Sequence, residues 1–91
     1  MKKVEIYTKS YCPYCHRAKE LLHIKGVPFT EHDITTDPAG EQEMRRRSQR
    51  ETVPEIFVDG ELLGGCTELF ELDEEGRLDQ VLELKSGERN R

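Results

Sequence analysis

The chain lacks the features that would send it to a membrane, to nucleic acid or out of the cell. None of its 91 residues belongs to an apolar run approaching the roughly 20 residues that cross a bilayer. The basic start Met1-Lys2-Lys3 is followed by Val4-Glu5 and not by an apolar segment, so no signal peptide is expected. The net charge of -5 excludes a general affinity for nucleic acid or anionic membrane. Three cysteines are too few for a disulfide framework. In the reducing cytoplasm, the expected compartment, thiols are catalytic or metal-binding before they are structural. Repeats, linkers and low-complexity segments are also missing. Hydrophobic residues are 34% and charged residues 36% of the chain. We expect one small domain over residues 1–91 with a modest core, a polar and fraying tail over 85–91, and a monomer.

What is present alternates between strand and helix patterns. Val4-Glu5-Ile6-Tyr7 reads as a short strand, and Pro13 suits the first position of a helix. Cys15, Ala18, Leu21 and Leu22 give that helix an apolar stripe, and Gly26 with Pro28 ends it. Pro28 to Ile34 is a second strand. Asp37-Pro38 starts a helix that runs to about Arg50, with Met44 as its only large apolar residue. Val53 to Val58 is the strongest strand, Asp59-Gly60 a tight turn, and Glu61-Leu62-Leu63 the returning hairpin partner. Thr67 is placed to cap a helix over Glu68 to Glu75, and Leu78, Val81, Leu82 and Leu84 suggest a last short one. The order β-α-β-α-β-β-α(-α) predicts a layered α/β domain.

The chemistry sits in Cys12-Pro13-Tyr14-Cys15. Cys12 falls at the N-cap of the first helix, where unpaired backbone N–H groups and the helix dipole favour a thiolate, and Lys9 adds positive charge nearby. Cys15, one turn in, is more buried and has fewer free donors. The pair is therefore asymmetric: Cys12 attacks and Cys15 resolves. Cys12 to His16 also satisfies the C-x-x-C-H pattern of haem attachment, Cys66 and three scattered histidines offer a partial zinc set, and Cys12 could hold an iron–sulfur cluster between two subunits. Proline after the first cysteine and a helix running on from it favour thiol–disulfide exchange over these.

Three segments in this order, Tyr7 to Cys15, Thr52-Val53-Pro54-Glu55-Ile56-Phe57-Val58-Asp59-Gly60 and Gly64-Gly65-Cys66-Thr67-Glu68-Leu69, resemble the glutaredoxins, in particular the small bacterial dithiol type. The resemblance runs from about Val4 to Leu84. It implies a thioredoxin-like fold, a central four-stranded mixed sheet flanked by helices, with Pro54 as a cis-proline beside the cysteines. The loop Thr52-Val53-Pro54 would meet the substrate, Val53 offering its backbone N–H and C=O to an extended peptide.

The co-substrate implied is glutathione, with no metal. Lys9 would take one of its carboxylates, helped by the basic cluster Arg45, Arg46, Arg47 and Arg50. The other carboxylate would meet the backbone N–H groups after Gly65, around Cys66 and Thr67, with the Thr67 hydroxyl. Gly64-Gly65 would let the backbone come close. Glu68 would take the ammonium, and Tyr14 would cover the sulfur. Two positions depart from the family pattern: Glu68 stands where aspartate is common, and Glu41 where many members carry glutamine or a basic residue. Arg45, one turn on from Glu41, would substitute for it. Cys66 is read as a small buried neighbour of the site.

The implied activity is glutathione-dependent reduction of protein disulfides and protein–glutathione mixed disulfides, with ribonucleotide reductase as a family-level candidate partner. The alternatives are an iron–sulfur carrier using Cys12 and a redoxin reduced by thioredoxin reductase.

Overall fold

A computed structural model of the chain describes residues 2–83. The expectations for the tail 85–91 and for Leu84 fall outside them. The elements are β1 (Val4–Thr8), α1 (Pro13–Ile24), β2 (Thr30–Asp33), α2 (Pro38–Ser48), β3 (Glu55–Val58), β4 (Glu61–Gly64), α3 (Cys66–Glu74) and α4 (Leu78–Val81). One four-stranded sheet runs in the order β2-β1-β3-β4. β1 pairs in parallel with β2, Tyr7 opposite His32, and antiparallel with β3, Ile6 opposite Ile56. β4 closes a hairpin onto β3. This is the mixed sheet the resemblance implies.

Both faces of the central strands are buried, and the period-2 alternation divides the core in two. Val4, Ile6, Ile56 and Val58 join Ala18, Leu21 and Leu22 of α1, Leu69 of α3 and Leu78 of α4. Tyr7 and Phe57 point the other way and pack with Ile34 and Met44. The apolar-poor α2 is thus held by the one large apolar residue it has, with Met44 fully buried. Arg47 of α2 adds a second hold. Its guanidinium lies 4.1 Å from the centre of the Phe57 ring, and it donates to Tyr7 Oη at 2.7 Å and to Glu5 at 3.0 Å.

The helix ends follow local chemistry. Pro13 and Pro38 each open a helix, where a missing N–H costs nothing. Asp37 caps α2 through Gly40 N–H. α1 stops at Lys25, and Gly26 at φ +72° donates back to His23 O in a left-handed turn that favours glycine. Three boundaries differ from expectation. β2 starts at Thr30 and not Pro28. β3 starts at Glu55 and not Val53, because Pro54 has no N–H for the ladder. α3 starts at Cys66, with Gly65 as N-cap, so Thr67 does not cap it. The Gly65 N–H is met instead by the Glu68 carboxylate, one turn into the helix.

Candidate active site

Cys12 stands at the N-cap of α1 in extended conformation, φ -94° and ψ 112°. That turns its side chain back over the first helical turn, where Cys12 Sγ accepts from Cys15 N–H at 3.3 Å. The same sulfur lies 3.6 Å from the Val53 carbonyl, to which the thiol donates. The loop that carries the cis Val53-Pro54 peptide thus lies against the helix N-terminus. Cys15 lies on the buried stripe of α1 and is fully shielded from solvent. Burial, with the neighbouring Cys12 sulfur adding to it, pushes the Cys15 thiol up to about 12. Both thiols are buried, Cys12 at 8% exposure and Cys15 at 0%, and Cys12 is the one in contact with the Val53 loop. Both are free cysteines in the structure, as is half-buried Cys66.

Beside Cys12 lies a groove of about 390 Å³ lined by Tyr14, Arg50, Thr52, Val53, Pro54, Glu55, Gly65, Cys66, Thr67 and Glu68. One wall is the start of α1, one the Thr52-Val53-Pro54 loop, and one the N-terminus of α3. The glycines permit this closeness. A Cβ on Gly65 would sit 3.1 Å from the Pro54 carbonyl, and one on Gly64 (φ +133°) would run into the Glu68 side chain at 2.7–2.8 Å. Tyr14 is exposed, and Thr67 lines the groove from the first turn of α3. Burial raises the Cys66 thiol, with Arg17 opposing. Glu68 is held below the usual carboxylate range, chiefly by the Gly65 N–H it accepts and then by Arg50.

Of the residues singled out in the sequence, Tyr14, Thr52, Val53, Pro54, Gly65, Cys66, Thr67 and Glu68 share this groove, and Cys12 adjoins it. Lys9 does not line it. Its ammonium pairs with Glu41 at 3.6 Å, and Glu41 also takes Arg45 at 3.0 Å. The basic cluster is divided among different tasks. Arg45 serves Glu41 and Glu51, Arg47 belongs to the core network, and Arg50 reaches the groove. Sequence reasoning passed over Glu55, whose carboxylate is buried in the groove wall. Its one signal was a charged residue between Val53-Pro54 and the apolar run Ile56-Phe57-Val58. Thr52 Oγ1 donates to Glu55 Oε2 at 2.9 Å, while Oε1 has no hydrogen-bond partner and lies 3.7 Å from Arg50. Burial pushes the Glu55 carboxyl above its ordinary range. Among the described residues no group of three or more histidine, cysteine or acidic side chains is arranged to hold a metal.

The comparisons with known proteins agree with this geometry. The glutaredoxin family model matches residues 4–63. Glutaredoxin 3 of Escherichia coli K12 is 55% identical over 82 residues, covering 90% of this chain and 99% of that protein. The solution structure of a glutaredoxin from Brucella melitensis is 48% identical with a TM-score of 0.79, covering 90% of this chain and 89% of that one. A crystal structure of a buckwheat glutaredoxin–glutathione complex is 26% identical with a TM-score of 0.81, covering 90% and 77%. By its Cys12/Cys15 pair, its thioredoxin-like fold and these likenesses, the chain belongs to the glutaredoxin family of thiol–disulfide oxidoreductases.

Proposed function

We propose that the chain reduces protein disulfides and protein–glutathione mixed disulfides at the expense of glutathione. It would do so as a single-domain monomer in the cytoplasm, with ribonucleotide reductase among the candidate partners. The observation that carries this reading is the position of Cys12 Sγ, between the N–H of Cys15 and the Val53 carbonyl, at the side of the groove. The structure of a glutathione complex in the buckwheat relative supports the choice of co-substrate.

In the monothiol route the Cys12 thiolate attacks the glutathione sulfur of a mixed disulfide. A Cys12–glutathione disulfide forms, and the protein leaves as a thiolate that takes a proton from water. A second glutathione thiolate attacks the bound glutathione sulfur, releasing glutathione disulfide and the Cys12 thiolate. The Cys15 N–H is already aimed at the sulfur that bears the charge, so little rearrangement is needed at either step. In the dithiol route Cys12 attacks a protein disulfide, and Cys15, after losing its proton, attacks the Cys12 sulfur. The second substrate thiolate leaves and the Cys12–Cys15 disulfide remains.

Within the groove, the ligand's cysteinyl backbone would pair with the Val53 N–H and C=O. One carboxylate would meet the first N–H groups of α3 with the Thr67 hydroxyl, the ammonium would meet Glu68, and Tyr14 would cover the sulfur. Lys9 would reach the other carboxylate once it leaves Glu41.

Turnover of a small glutathione mixed disulfide with glutathione as reductant tests the reading. Cys12→Ser should be inactive toward every disulfide. Cys15→Ser should keep deglutathionylation and lose reduction of protein disulfides. Loss of deglutathionylation in Cys15→Ser, or absence of glutathione-driven turnover in the unmodified protein, refutes it.

A further inference from the structure

Three charged side chains, one from the loop after α2, one from β3 and one from α3, meet at one end of the groove. Arg50, just past α2, places its guanidinium 3.7 Å from Glu55 Oε1 of β3 and 3.4 Å from Glu68 Oε1 of α3. The three differ sharply in access. The Glu55 side chain is 1% exposed, whereas Arg50 is 44% and Glu68 40% exposed. Glu55 therefore cannot itself receive a ligand, but it shares the arginine with a carboxylate that can. A buried carboxylate whose Oε1 has no hydrogen-bond donor is costly, and fold stability alone gives no reason for an acid here. Burial raises the Glu55 carboxyl, and the Thr52 hydroxyl at Oε2 and the Arg50 charge oppose that push.

We infer that Glu55 is a specificity-determining residue that works through Arg50: by drawing on the arginine, it leaves Glu68 with charge to spend on a ligand ammonium. This rests on the reading of the groove as a glutathione site. Two carboxylates around one guanidinium leave one net negative charge facing the groove. Were Glu55 neutral, Arg50 would pair with Glu68 alone, and the local charge would fall to zero. A γ-glutamyl ammonium would then gain nothing from Glu68. The preference for an amino-bearing ligand is thus set from beneath the groove wall by a residue the ligand does not touch. It is a positioning residue for the arginine and a charge partner to the site.

The test compares two non-reactive ligands, S-methylglutathione and its analogue lacking the α-amino group, by NMR titration at pH 8. The unmodified protein should bind the amino ligand about fivefold more tightly, the size of one partly exposed charge pair. Glu55→Gln keeps the volume and can still accept from Thr52; it should bring the two affinities to within about twofold by weakening only the amino ligand. Adding Arg50→Gln to Glu55→Gln removes the competing cation and should restore the preference. The inference is overturned if Glu55→Gln keeps the full preference, if it weakens both ligands equally, or if the double variant fails to restore it. If the unmodified protein binds neither ligand, the glutathione reading fails first and this one with it.

Discussion

The burial of Cys15 makes a kinetic prediction that can be worked out from the structure. Burial and the Cys12 sulfur push the Cys15 thiol up to about 12, so at pH 7 only a small fraction carries the attacking thiolate. Forming a mixed disulfide on Cys12 removes the part of the upward push that comes from the Cys12 sulfur. Burial, the larger part, remains, and it holds Cys15 above the ordinary thiol value of 9.0. The step in which Cys15 attacks Cys12 should therefore accelerate about tenfold per pH unit, or about 100-fold from pH 6 to pH 8, without a plateau below about pH 9. The assay is single-turnover. Cys12 is loaded with a chromophoric nitrothiobenzoate group, and its release is followed by stopped flow across that range. Cys15→Ser should release nothing on this timescale. A plateau between pH 7 and 8 would mean that Cys15 titrates like an exposed thiol. That would refute the argument that burial separates the attacking from the resolving cysteine.

Three further outcomes follow from particular contacts. Met44→Ala removes the only large apolar anchor of α2 from a fully buried site and should cost about 2–5 kcal/mol, read from the shift in the urea midpoint. Glu5→Gln should cost about 1–2 kcal/mol at pH 7, because Glu5 accepts from both Arg47 and His32. The Arg47 hydrogen bond holds the Glu5 carboxyl below its ordinary 4.5, so its contribution is fully present above that value and is lost as the pH falls below it. Urea unfolding at pH 3 should show a much smaller difference than at pH 7, and an equal one would contradict the assignment. Glu41→Gln frees Lys9 and Arg45, so the KM for a glutathione mixed disulfide should fall about two- to fivefold, with the effect weakening in high salt. An unchanged KM would mean that Lys9 does not reach the ligand.

Local chemistry made much of the molecule legible in advance. Prolines at positions 13 and 38, Asp37 and Gly26 mark helix ends because each acts through its own backbone, and the alternation in β1 and β3 shows which residues leave for which face. Thr67 was misread as a cap because the glycine before Cys66 also starts a helix when a carboxylate three residues on meets its N–H. The cluster Arg45 to Arg50 looked uniform in sequence. Arg45 keeps to Glu41 one turn away on α2, whereas the partners that take Arg47 and Arg50, namely Glu5, Phe57 and Glu55, lie on other elements.

The sequence by itself determined where the cysteine pair sits. One cysteine caps a proline-started helix and the other lies one turn inside it, on the apolar stripe. Tertiary structure decided what surrounds them. Folding carries Val53 to within 3.6 Å of Cys12, pairs Lys9 with Glu41, and places Arg50 between a buried and an exposed acid. The physical reason is range. Capping, helix periodicity and dipole effects act within a turn or two of chain, whereas burial and charge pairing act through space between elements that only the sheet brings together.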